Sequence, residues 1–288
     1  MNAKDILLVA FDKAGLNDPD FWAKHVKRYH PDGIDKNSSC KYFGRVSNQS
    51  RNKNEGQSIY NQGQKLSFPE AQRIFTEKYD GICVKYKTRQ DLDDVFLDKQ
   101  IKDAIIKYTE PTDDEDFKET IISAVEVLED IKQRFPKFSL YYPFIVPARM
   151  KRIKGMGGAL SSVDRLETYD AYIAISKQDS IPFTGFCFGH DDGRYFSDRL
   201  RHEIGHFLTT PQVLRRFLEI TKEMKKQVGE DSFYDMIEQE VSQGATINEF
   251  EGIAEIFSFV SSPEYKSGAI DKRLENFVRK NMLGEYET

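Results

Sequence analysis

The stretch Arg201-His202-Glu203-Ile204-Gly205-His206-Phe207 decides how the chain is read. Two of the chain's five histidines lie in it, four residues apart, with a glutamate directly after the first. On a helix that advances about 100° per residue, His202 and His206 share one face, while Leu200, Ile204, Phe207 and Leu208 gather on the other. The pattern predicts a helix over 197–209 that packs through one side and chelates through the other. H-E-x-x-H is the spacing at which two imidazoles bind one zinc ion and the intervening carboxylate serves as general base. Glu203 falls on the flank of the histidine face, within reach of a metal-bound water but not placed as a ligand. Such a site needs a third protein ligand.

The third ligand is sought in Thr246-Ile247-Asn248-Glu249-Phe250-Glu251-Gly252-Ile253-Ala254-Glu255-Ile256-Phe257. Phe250, Ile253, Ala254, Phe257 and Val260 form the packing stripe of a late helix, and Glu251 and Glu255, four apart, stand together on its flank. Two like charges so placed repel unless a cation lies beside them, and zinc supplies one. Thr246 and Glu249 fit a capping box, which leaves Glu251 free to ligate.

With these two segments 45 residues apart from His206 to Glu251, residues 115–288 resemble the gluzincin metallopeptidases. The likeness is to the catalytic domain of anthrax-lethal-factor-like peptidases. It implies an α+β, zincin-like domain: a small sheet, an active-site helix and C-terminal helices. It also implies a zinc-dependent endopeptidase acting on a protein or peptide, with Zn2+ held by His202, His206 and Glu251. Glu203 would activate the water, and Glu255 would hydrogen-bond a ligating histidine. These peptidases carry an oxyanion-stabilising tyrosine seven residues before the ligand glutamate; here that position is Gly244. Tyr234, Tyr195 and His190 are the candidate substitutes. The departure keeps a second reading open, a zincin-fold binding or structural module of a virion or toxin with weak or no catalysis. An extended substrate would pair with an edge strand, for which 171–176 is the candidate.

Composition frames this reading. The 288 residues divide electrostatically: residues 1–112 carry 19 Lys+Arg against 16 Asp+Glu, net +3, leaving −8 for the remainder. We therefore expect an α-rich N-terminal unit over 1–112 and the catalytic unit over 113–288, parted by the charged, proline-bearing segment 110–116. Cys40, Cys83 and Cys187 are odd in number and widely spaced, which points to a reducing compartment. The apolar run 6–11 is too short and too charged at its flanks for a signal core or membrane span. Cytoplasmic residence, or delivery without a signal peptide, is the expectation. Residues 24–53 hold eight basic and two acidic side chains, read as a solvated loop rather than a nucleic-acid surface because aromatic interleaving is sparse. His25 and His30 read as structural helix residues, and Cys187-x-x-His190 as loop, since neither has the rest of a metal set.

The remaining elements follow from periodicity and caps. Ser67 and Glu70 predict a capping box, 82–86 a short strand, 91–108 a helical stretch, and Phe117, Ile121, Val125, Leu128 and Ile131 a helix closed by Pro136. Residues 138–146, interrupted by Pro143, read as an edge strand, and 171–176 as a well-buried one. Helices opening at Pro211 and running over 231–243 complete the chain.

Overall fold

Four short strands build the sheet among the described residues: β1 (Ile82–Cys83), β2 (Thr109–Pro111), β3 (Phe144–Met150) and β4 (Tyr172–Ile175). All three partners pair with β3. β1 and β4 run parallel to it, with Phe144 opposite both Ile82 and Tyr172, and β2 runs antiparallel along its far end, with Pro111 opposite Ala148. The computed structural model describes residues 66–96, 99–140, 143–151, 172–177 and 195–285, all within one compact unit, Ser58–Thr288. The expectations placed on residues 24–53, His25, His30, Cys40, Cys187 and His190 lie outside the described residues.

The helices are α1 (Phe68–Tyr79), α2 (Gln90–Asp93), α3 (Lys99–Tyr108), α4 (Asp114–Arg134), α5 (Tyr195–Leu208), α6 (Pro211–Val228), α7 (Glu230–Glu240), α8 (Glu249–Ser261) and α9 (Lys272–Asn281), with a 3-10 turn at Gly244–Thr246. The protein is thus mixed α+β, mostly helical around a small sheet. Alternation along the strands gives the sheet two buried faces. Val146, Ala148, Tyr172 and Ala174 point to one side, beneath Leu92, Phe96, Ile101 and Ile105 of the α2–α3 region. Ile145, Ile173 and Ile175 point to the other, where α4, α5 and α8 pack. On that side Leu200 and Ile204 of α5 are fully buried and Phe207 nearly so, as the helical stripe predicts. Each such side chain contributes about 1.5–3 kcal/mol by leaving water.

Three expectations change. The strand around Pro143 is not at an edge: Pro143 stands just before β3, where its carbonyl accepts from Ile82 N–H and its missing donor costs no ladder bond. The strand therefore starts later, at Phe144, and becomes the centre of the sheet. The helical stretch 91–108 is two separate helices, α2 and α3. Ser67 does precede α1 but its hydroxyl makes no cap bond.

The segment 110–116 marks a strand-to-helix turn. Thr109–Pro111 is paired with β3, and the Asp113 carboxylate then accepts from the N–H groups of Glu115 and Asp116 to start α4. Residues 66–111 thus supply α1, β1 and β2 to the same sheet and core as the residues that follow. The acidic run whose charge suggested a boundary is the favourable charge at a helix N-terminus. No helix among the described residues is long and apolar enough to cross a membrane.

Candidate metal centre

Helices α5 and α8 bring the candidate ligands together. Ser258 Oγ donates to the Asp198 carbonyl at 3.0 Å, so the beginning of α5 meets the later part of α8 and the two run antiparallel. His202 and His206 of α5 consequently face the first two turns of α8. Asn248 caps α8: its side chain accepts from Glu251 N–H at 2.9 Å. The cap is therefore Asn248 rather than Thr246, which belongs to the 3-10 turn. Glu251 is at the third helical position, where a glutamate usually folds back onto the cap. Here its carboxylate turns to the histidines instead.

The donor atoms converge. His202 Nε2 and His206 Nε2 are 2.9 Å apart, and Glu251 places Oε2 3.3 Å from the first and Oε1 3.5 Å from the second. Tetrahedral zinc with ligands at about 2.0–2.1 Å holds its donors about 3.3–3.4 Å from one another. The donor set fits zinc and the two carboxylate separations match its spacing, the Nε2 pair being closer; among the described residues these three form the one such group.

Glu255 supports the set from behind. Its Oε1 lies 2.7 Å from His202 Nδ1, and Ser242 Oγ donates to its Oε2 at 2.9 Å while accepting from Ala245 N–H. A carboxylate only accepts, so its place beside Nδ1 favours a proton there, the tautomer that would leave Nε2 to a metal. Ser242 was not singled out from the sequence, and no local signal marks it. It acquires its role because the chain between α7 and the 3-10 turn crosses behind α8.

Electrostatics follow from burial. Burial works against charge on His202, but the carboxylates of Glu255 and Glu251 outweigh it and carry the imidazole pKa well above its ordinary value. Burial alone would raise Glu251 too, yet His206 and His202 hold its carboxyl far below the usual range. At Glu203 burial prevails. It is 1% exposed, neither carboxylate oxygen has a hydrogen-bond partner, and desolvation pushes its pKa up to about 7 despite the nearby histidines. A buried carboxyl without a partner costs stability, so its presence beside the histidines asks for a chemical reason.

Of the three candidate oxyanion stabilisers, only the side chain of Tyr234 lies among the described residues. His190 lies outside the described residues, and Tyr195 opens α5 with its side chain likewise outside them. Tyr234 is engaged elsewhere: its hydroxyl accepts from Lys225 Nζ at 2.7 Å within the α6–α7 hairpin. Gly244 is buried at the start of the 3-10 turn.

A second group of charges locks the ends of these helices. Arg201, next to His202, donates to Asp130 of α4 at 2.5 Å and to the Ser261 carbonyl at 3.2 Å. Arg134 shares Asp130 and reaches the carbonyls of Ser261 and Ser262. Two guanidiniums thus meet one carboxylate at the negative end of the α8 dipole, where extra positive charge is favourable. No family model, curated protein or solved structure matches the chain.

Proposed function

We propose that the protein is a zinc-dependent endopeptidase with a zincin-like catalytic unit. The observation that carries this reading is the convergence of His202, His206 and Glu251 on one point beside an unpartnered, buried Glu203. His202 and His206 would hold zinc through Nε2 and Glu251 through its carboxylate. Zinc bound there supplies a Lewis acid and a water whose pKa falls toward about 7. Glu203 would take a proton from the attacking water at a carboxylate oxygen and later pass it to the leaving amine. Glu255 would hold the proton on His202 Nδ1, and Ser242 holds Glu255. The partner is a protein or peptide presented as an extended strand.

The test is hydrolysis of an unstructured protein mixture. Cleavage that stops on chelation, returns with zinc and is lost in Glu203→Gln supports the reading; no cleavage by zinc-loaded protein sinks it. Gly244 favours a second reading, a zincin-fold binding or structural module, because no hydroxyl stands where the resemblance calls for one. Full zinc occupancy without hydrolysis selects that alternative.

A further inference from the structure

Glycine in the interior of a helix is disfavoured relative to alanine, yet Gly205 lies inside the ligand-bearing turn of α5. Its surroundings give the reason. A Cβ built on Gly205 would sit 2.7 Å from Ala254 Cα, 3.1 Å from the Ala254 carbonyl oxygen and 3.2 Å from Phe257 Cβ. The nearest obstacles are backbone atoms of α8, which no change of rotamer removes. The two helices therefore touch backbone to backbone here, between the pair His202/His206 on one side and the pair Glu251/Glu255 on the other. Ala254 is itself fully buried. The carboxylate of Glu251 meets both imidazoles at 3.3 and 3.5 Å only because α8 comes this close.

We infer that Gly205 is a positioning residue of the metal centre: its missing side chain sets the α5–α8 separation at which Glu251 and Glu255 reach the histidines. This rests on the zinc reading above. A methyl group at position 205 must push α8 away, and Glu251 moves with it, because Glu251 and Ala254 are one turn apart on the same rigid helix. The other end of the pair stays fastened by Ser258 to Asp198 and by Arg201 and Arg134 to the end of α8. Opening is thus concentrated at the ligand end.

Gly252 provides the control. A Cβ there would meet the Ala245 carbonyl at 3.1 Å and the Phe217 ring at 3.6 Å, so it is also tight, but its contacts belong to the 3-10 turn and α6, not to α5. The experiment measures zinc affinity by chelator competition, and the visible absorption of the cobalt-substituted protein, for wild type, Gly205→Ala and Gly252→Ala, each shown folded by circular dichroism. Gly205→Ala is expected to lose at least tenfold in zinc affinity and to change the cobalt spectrum, while Gly252→Ala keeps both. Where Gly205→Ala does not fold, Ala254→Ser, which adds one oxygen to the fully buried residue that Gly205 meets, is measured instead with the same expectation. Wild-type affinity and spectrum in the folded crossing variant, or an equal loss in Gly252→Ala, overturn the inference. Wild-type protein that takes up no zinc overturns the reading of the site itself, a result distinguishable from the other two.

Discussion

His202 Nδ1 lies 2.7 Å from Oε1 of Glu255, a carboxylate 1% exposed whose other oxygen accepts from Ser242. A carboxylate there favours the proton on Nδ1, the tautomer that would offer Nε2 to zinc. Glu255→Ala is therefore expected to lower zinc affinity by about 10- to 100-fold. Glu255→Gln should lose less, because an amide oxygen still accepts from Nδ1–H, and Ser242→Ala least of all. Competition with a coloured chelator measures the series; an Ala variant as tight as wild type contradicts the assignment.

Glu203 is the reverse case, a buried carboxyl with no hydrogen-bond partner. Replacing it by leucine removes a desolvated polar group, and the zinc-free variant should be more stable than wild type by about 1–3 kcal/mol. Urea unfolding tests this. The same change should reduce hydrolysis by at least about 100-fold, the scale of a lost general base. A variant both less stable and fully active would remove Glu203 from the mechanism.

The charge lock predicts a large cost. Asp130→Ala leaves Arg201 and Arg134 facing each other in a mostly buried site, so about 3 kcal/mol of stability should be lost. Thermal or urea unfolding reads it, and a loss below about 1 kcal/mol would mean that solvent already screens the pair.

Acid stability should depend on Glu275, which accepts from Ser267 Oγ, Gly268 N–H and Arg279 Nε and so ties the loop before α9 to that helix. Burial would raise its pKa, but these donors, with Tyr265, outweigh burial and hold it below the ordinary value of 4.5. A depressed folded-state pKa means stability that is complete above about pH 4.5 and fades as pH falls through the folded value. Wild type should exceed Glu275→Gln in melting temperature at pH 7 and converge on it in acid. A gap that stays constant down to the lowest pH would contradict the linkage.

Local pattern carried much of this architecture into the sequence. The stripe Leu200, Ile204, Phe207 placed α5 within two residues at its start and one at its end, and the Phe250-to-Val260 stripe placed α8, because both signals reside within single helices. What was illegible depends on partners distant in sequence. Pro143 looks like an edge signal until its position before β3 is known, and the run 110–116 looks like a linker until β2 pairs. Thr246 with Glu249 looks like a capping box, until the 3-10 turn that occupies Thr246 leaves the cap to Asn248. Ser242, Asp130 and Arg134 have no motif at all; they matter through what they touch. Glu251 and Glu255 were legible as a pair and the resemblance implied their division of labour, whereas which histidine stands beside Glu255 required the crossing of α5 and α8.

The account stands most directly on the metal content of the purified protein. Wild type and Glu203→Gln should each carry close to one zinc per chain, and Glu251→Ala should lose it after dialysis at a zinc concentration that saturates wild type. Undiminished zinc in Glu251→Ala, or none in wild type, would contradict the metal centre described for His202, His206 and Glu251.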